Sequence, residues 1–347
     1  MTGSDIEKIL RKEKIKYKTL FLTLFTAIII LTLVSLRMGT MEIRTYDILS
    51  VIGNKIFGTE TVVKENVSAV IWNIRLPRII CSCFVGMGLA VSGTVFQGIL
   101  RNPLADPYTL GISTGASFGA SAAIVLNIMW GIYFPTVIAA LIGAFTTLLI
   151  VILIAKKGNG FESSNLIIAG IIISSILSSG VSFMKMLAGE NVGAIVFWIM
   201  GSLSAKGWND VLFIAPFSVI CTVISVFLSE KLDIMSLGDN NAYALGVNAG
   251  KVRLLYMIIG SLATSVCVSV CGVIGFVGLI VPHLLRFWIT AKNSMLIPLS
   301  ALFGAVLLMS ADTFARVIAS GEIPVGVLTT IIGGPFFIFV FTRRSKR

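Results

Sequence analysis

Apolar residues run along this chain in helix-length blocks, separated by short polar breaks or by glycine and proline. The blocks fall at about 19–36, 79–100, 109–129, 133–155, 166–187, 209–229, 253–273, 275–291, 295–315 and 324–342. A bilayer core about 30 Å thick needs about 20 apolar residues per helix. The blocks carry scattered glycines and no period-2 alternation, which argues against a β-barrel. The expected fold is therefore an all-α polytopic membrane protein of about ten transmembrane helices. Residues 1–18 read as a basic leading segment, 19–342 as one membrane domain and 343–347 as a short tail. The first block follows a lysine-rich run, as a signal peptide would. Its apolar stretch from Leu20 to Leu36 is too long for one, and Leu36-Arg37-Met38-Gly39 is a poor cleavage site, so it reads as a retained helix. The outer loop 37–70 carries no readable motif.

Composition agrees with the pattern. The chain is 56% hydrophobic and 12% charged, against about 25% charged in soluble domains. Its net charge of +11 would suit a nucleic-acid partner, but the charges follow topology. With ten spans and the N-terminus inside, 18 of the 27 Lys and Arg and eight of the 16 acids fall on inner segments. That leaves a surplus of ten inside and one outside. Such positive-inside asymmetry places both termini in the cytoplasm and makes a nucleic-acid role unnecessary.

Candidate chemistry is thin. The five cysteines (Cys81, Cys83, Cys221, Cys267, Cys271) all lie in apolar blocks, and with one histidine no metal set assembles. Gly246-Val247-Asn248-Ala249-Gly250-Lys251-Val252 has three residues between its glycines and valine where a phosphate loop needs Ser or Thr, so no nucleotide hydrolysis is expected. Gly111, Gly115 and Gly119, and Gly272, Gly275 and Gly278, are spaced to put small residues on one helix face for close packing. Lys185, Glu190, Asp312 and Arg316 fall near span ends, where they can reach the interface. The few charges at depth weigh against an ion-coupled carrier, the alternative class, and against an intramembrane hydrolase.

One stretch is more specific. Arg75-Leu76-Pro77-Arg78 leads through Gly93 and Gln97 to Asn102-Pro103-Leu104-Ala105-Asp106-Pro107 and Leu110-Gly111. Further blocks follow in order: Phe197 to Leu203, Leu237-Gly238 to Leu245-Gly246-Val247, Gly275 to Arg286, Ala311-Asp312-x-x-Ala315-Arg316, Glu322 to Val327 and Gly333 to Phe337. As a set, over roughly 20–345, they resemble the FecCD- or BtuC-type permeases of bacterial type II ABC importers for ferric siderophores, haem and cobalamin.

The resemblance implies a transport subunit with no catalysis of its own, in the cell membrane. Its expected partners are a second permease subunit, identical or homologous, two cytoplasmic ATPase subunits and an extracytoplasmic substrate-binding protein. No cofactor is expected on this chain, with ATP and magnesium on the ATPase. The implied cargo is an iron(III)-siderophore chelate, with haem or cobalamin as alternatives. Asn102, Leu104, Ser163 and Ser164 match the inner gate. Arg75, Arg78 and Arg316 match arginines that dock the binding protein. A coupling loop at about 230–252 would touch the ATPase through Leu237, Gly238, Ala242, Leu245, Gly246 and Val247. His283 recurs in this family whatever the cargo, so a structural hydrogen-bonding role is expected for it, not cofactor ligation.

Overall fold

A computed structural model describes residues 3–39, 41–59, 61–157, 163–289, 291–318 and 323–344. The end of the expected tail and Glu322 lie outside them. The described residues hold helices and turns and no strand. In chain order the helices are α1 (Gly3–Arg37), α2 (Thr45–Phe57), α3 (Glu65–Ala69), α4 (Leu76–Ile99), α5 (Ile112–Trp130), α6 (Thr136–Lys157), α7 (Ser163–Ala188), α8 (Val192–Ile199), α9 (Trp208–Phe227), α10 (Ser229–Ser236), α11 (Asp239–Ala244), α12 (Ala249–Cys271), α13 (Val277–Trp288), α14 (Asn293–Ile318) and α15 (Val325–Arg344). Eight helical stretches in the described residues are long and apolar enough to cross a bilayer. α13 and Val325–Ile338 of α15 are shorter apolar helices. These ten segments make the all-α fold expected of a type II ABC importer permease.

α1 continues well before its apolar block. Its 35 residues would span about 52 Å, so its basic first turns project beyond a 30 Å core. α3 runs without interruption through a wide turn at Val70–Arg75 into α4, so Pro77 lies inside a continuous helix, next to the wide turn that relieves the clash of its ring with the preceding turn.

The core is built around α4 and α12, whose apolar windows are 78% buried. α4 packs against α14, α9, α12 and α13. Where α4 crosses α14, a Cβ on Gly86 would stand 2.2 Å from the Gly304 carbonyl oxygen. Lipid offers helices no hydrophobic drive to associate, so this backbone contact is how they are held. Hydroxyls add to it: Ser92 donates to the Gly260 carbonyl at 2.7 Å and Thr264 donates to Ser92 at 2.7 Å, joining α4 to α12. Arg286 of α13 donates to Gln97 Oε1, and Gln97 Nε2 donates back to the Gly278 carbonyl at 3.3 Å.

The two glycine ladders resolve differently. Gly115 meets Gly143 of α6, and Gly119 meets the Ala139 carbonyl, as close packing requires. Gly111 is instead a left-handed residue capping the start of α5. Gly272 and Gly275 lie outside any helix, in the break between α12 and α13. The second ladder is therefore not a helix face. Gly272 and Gly275 serve a break in the chain, while Gly278, in α13, packs closely on Gly93 of α4.

Candidate translocation pathway and coupling surface

α7 presents an exposed face on which serines alternate with large apolar side chains. At 100° per residue, Ser164, Ser175, Ser178, Ser179 and Ser182 share an arc of about 100°, and all five are exposed. The same arc also holds the exposed Ile168, Ile171 and Met186, and the adjacent one holds Ile172, Ile176 and Phe183. Ser175, Ser179 and Ser182 each donate to the carbonyl four residues back, at 2.9–3.1 Å. Each hydroxyl proton is thus used locally, while the oxygen lone pairs face outward. Among the described residues, no other element covers this face. Sequence reasoning passed over it, although Ser174-Ser175 and Ser178-Ser179 at helical spacing were visible.

Beside it three breaks in the chain meet. α8 turns back from the end of α7 and lies along α5 and α7. Gly201, just after it, accepts from Gly326 N at 3.1 Å at the start of α15, and Ser202 N donates to the Cys271 carbonyl at 2.8 Å. A Cβ on Gly326 would fall 2.3 Å from the Met200 carbonyl oxygen and 2.4 Å from that of Val273. The third break, 272–276, is tied by Tyr108 Oη donating to the Ile274 carbonyl at 2.8 Å. Non-helical backbone at membrane depth is tolerated where protein buries it or water lines it. Here the protein itself satisfies much of it.

The turn after α4 contains two of the expected gate residues. Pro103 and Pro107 prevent the helix from continuing, and Asn102 Oδ1 accepts from Leu104 N at 2.9 Å, closing the turn locally. Only the Nδ2 end of the amide is left to face a passage, less than the whole amide expected. Leu104 is exposed, Ser163 is half-buried and Ser164 is exposed in the first turn of α7. Close to this turn, buried Asp106 caps a short 3-10 turn by accepting from Tyr108 N at 3.1 Å. Loss of solvation raises its pKa to about 6.

At the same end of the bundle lies α11. It is bracketed by Gly238 (φ 105°) and Gly246 (φ 81°), left-handed positions suited to glycine. Ala242 is fully buried and pins the helix down, and its carbonyl accepts from Val247 N at 2.8 Å. Leu237, Tyr243 and Leu245 point outward, 59%, 75% and 60% exposed. Three large side chains standing out of a run of Asp239, Asn240, Asn241 and Asn248 form an exposed apolar patch. Tyr243 was not among the expected coupling residues, though an aromatic in so polar a run was a readable signal.

The model of the FecCD transport family matches residues 27–343. The chain belongs to the FecCD transport family. A Fe(3+)-citrate import system permease of Bacillus subtilis, YfmE, is 33% identical over 99% of this chain and 100% of its own length. The cobalamin import permease BtuC of Halobacterium salinarum is 37% identical, over 82% of this chain and 76% of its own. Among solved structures, one described as a metal-chelate type ABC transporter in an inward-facing conformation superposes with a TM-score of 0.82 at 32% identity, covering 94% of this chain and 99% of that one.

This FecCD chain is therefore an ABC importer permease, a non-catalytic membrane subunit whose ATPase is a separate chain. The ion-coupled carrier alternative falls. The residues that resembled a phosphate loop are the start of α12, where Asn248 Oδ1 accepts from Lys251 N at 3.0 Å. His283 lies on α13 with its ring edge-on to Phe337 of α15 at 6.2 Å. Cys81, Cys221, Cys267 and Cys271 are buried, and no cluster of three metal-ligating side chains exists among the described residues.

The structure shows what the three arginines touch within the chain. Arg75 and Arg78 are buried, Arg316 is partly buried, and all three are engaged inside the chain. Arg75 donates to the Leu36 and Met41 carbonyls at 2.6 Å and to that of Arg37 at 3.3 Å, satisfying the C-terminal carbonyls of α1. Gly39 makes room for it: a Cβ there would fall 2.7 Å from Arg75 Nη2. Arg78 grips Asp312 through Nε at 3.0 Å and 3.2 Å and through Nη2 at 2.9 Å. Arg316 lies 3.4 Å from Asp312 and donates to Ser35. Asp312 itself is 1% exposed, so it does not reach the interface as its place near a span end suggested. These residues fasten α1 to α4 and α14.

Proposed function

We propose that this permease carries an iron(III) chelate of the siderophore type, along a pathway walled by the serine face of α7 and closed by a second permease subunit. The uncovered serine face carries this reading. Hydroxyl oxygens directed into hydrocarbon would gain nothing, whereas a water-filled passage between two copies would solvate them. The iron-citrate relative that spans nearly the whole chain and the metal-chelate neighbour support the cargo. In this reading Asn102, Leu104, Ser163 and Ser164 form the inner constriction. Leu237, Tyr243 and Leu245 on and beside α11 meet one of two ATPase subunits, with Gly238, Ala242, Gly246 and Val247 holding α11 in place. An extracytoplasmic binding protein delivers the chelate at the opposite end. The surplus of basic residues at the α11 end makes that end cytoplasmic, together with both termini.

The test is labelling. Single cysteines replacing Ser175, Ser178 and Ser182 should react with a membrane-impermeant maleimide in the assembled transporter. Cysteines replacing Ile176 and Phe183, on the lipid arc, should stay unreacted. Equal protection of both sets would remove the pathway from this face.

A further inference from the structure

α11 is held by more than Ala242. Its first residue, Asp239, accepts from Arg253 Nη2 on both carboxylate oxygens at 3.0 Å and pairs with Arg101 Nη2 at 3.1 Å. Arg253 is buried at the start of α12, and its Nε donates to the carbonyl of Ile99, the last residue of α4, at 3.2 Å. Arg101 directly precedes Asn102 and holds a left-handed backbone conformation, φ 49°. A side chain with a Cβ rarely adopts it without something to hold it there. On the adjoining side, Leu232 of α10 is fully buried, and a Cβ on Gly98 would fall 2.9 Å from it. Three contacts, made within the chain alone, thus join α10 and α11 to the last turn of α4 and to the turn that follows.

We propose that Asp239 is a positioning residue that passes displacement of α11 to the turn at Asn102 and Leu104, with Arg253 as its fixed arm and Arg101 as its releasable one. This rests on the reading of α11 as the ATPase-docking surface. The division of labour follows from burial. The Arg253 side chain is 3% exposed, and freeing it from its carboxylate would strand a charge in the protein. Arg101 and Asp239 are each 41% exposed, so water competes for their pair and it can break and reform during a cycle. Release of Arg101 frees the residue next to Asn102 while α11 stays attached to α12.

The experiment uses the complete transporter in proteoliposomes, with its ATPase and binding protein and iron(III) citrate as probe. Arg101→Gln is the first variant, since the side chain is half in solvent and its loss leaves Arg253 with its carboxylate. ATP hydrolysis should stay within about twofold of wild type while chelate uptake per ATP falls about fivefold, the low end of allosteric coupling. Arg101→Lys should recover most of the ratio. Asp239→Glu keeps both charges on a longer arm, should lower the ratio about twofold, and serves if Arg101→Gln does not assemble. A wild-type ratio in these variants overturns the relay. So does a parallel fall of hydrolysis and uptake, which marks a merely structural role. The ratio is scored only on complexes that retain the ATPase, so failure of the relay stays separate from failure of the docking surface. That surface is refuted instead if Tyr243→Asp with Leu245→Asp leaves the ATPase bound.

Discussion

Asp312→Ala should remove most of the folded permease from the membrane. The carboxylate is 1% exposed and is gripped by Arg78 at 2.9 Å, with Arg316 at 3.4 Å. Removing one partner of a buried ion pair costs about 3–5 kcal/mol, because the remaining charge stays desolvated. Here two guanidinium groups lose their carboxylate, against a total stability of only about 5–15 kcal/mol for typical proteins. Monodisperse yield after detergent extraction is the readout. Asp312→Ala combined with Arg78→Met should regain part of that yield, since replacing both members by apolar groups removes the stranded charge. A well-folded Asp312→Ala that loses only its association with the binding protein would assign the arginines to docking and not to holding the fold.

Tyr243→Asp with Leu245→Asp should strip the ATPase from the purified complex without affecting membrane insertion. Both side chains are largely exposed, so the bundle loses little. At an interface, centrally placed apolar and aromatic side chains are often worth about 2 kcal/mol each. Two of them replaced by charges should weaken association at least about a hundredfold. Co-purification of the two subunits and ATPase stimulation by the loaded binding protein measure the effect. Unchanged co-purification would move the ATPase contact elsewhere.

The bundle was legible from sequence because lipid leaves few choices: a helix-length apolar run has to satisfy its own backbone. What escaped was whatever depended on partners distant in the chain. Arg75, Arg78 and Arg316 stand at the ends of apolar blocks, where snorkelling and docking both look natural. Only folding brings α1 carbonyls and Asp312 within reach of them. The break between the blocks at 253–273 and 275–291 was readable, but its need for glycine at Gly272 was not, because that comes from Trp198 and Gly201, some 70 residues earlier. The α11 segment was easier to read, because Leu237 and Leu245 in a polar loop have no core of their own. Arg101, by contrast, looked like one more inner basic charge, and its tie to Asp239 needs the fold to be seen.

The most direct measurement is uptake of radiolabelled iron(III) citrate into proteoliposomes holding this chain, its ATPase and its binding protein. The expected result is accumulation that requires internal or external ATP on the α11 side, requires the binding protein on the other, and ignores imposed proton and sodium gradients. Accumulation driven by an ion gradient without ATP would contradict the importer mechanism, and ATP-driven uptake of cobalamin or haem with none of the iron chelate would contradict the proposed cargo.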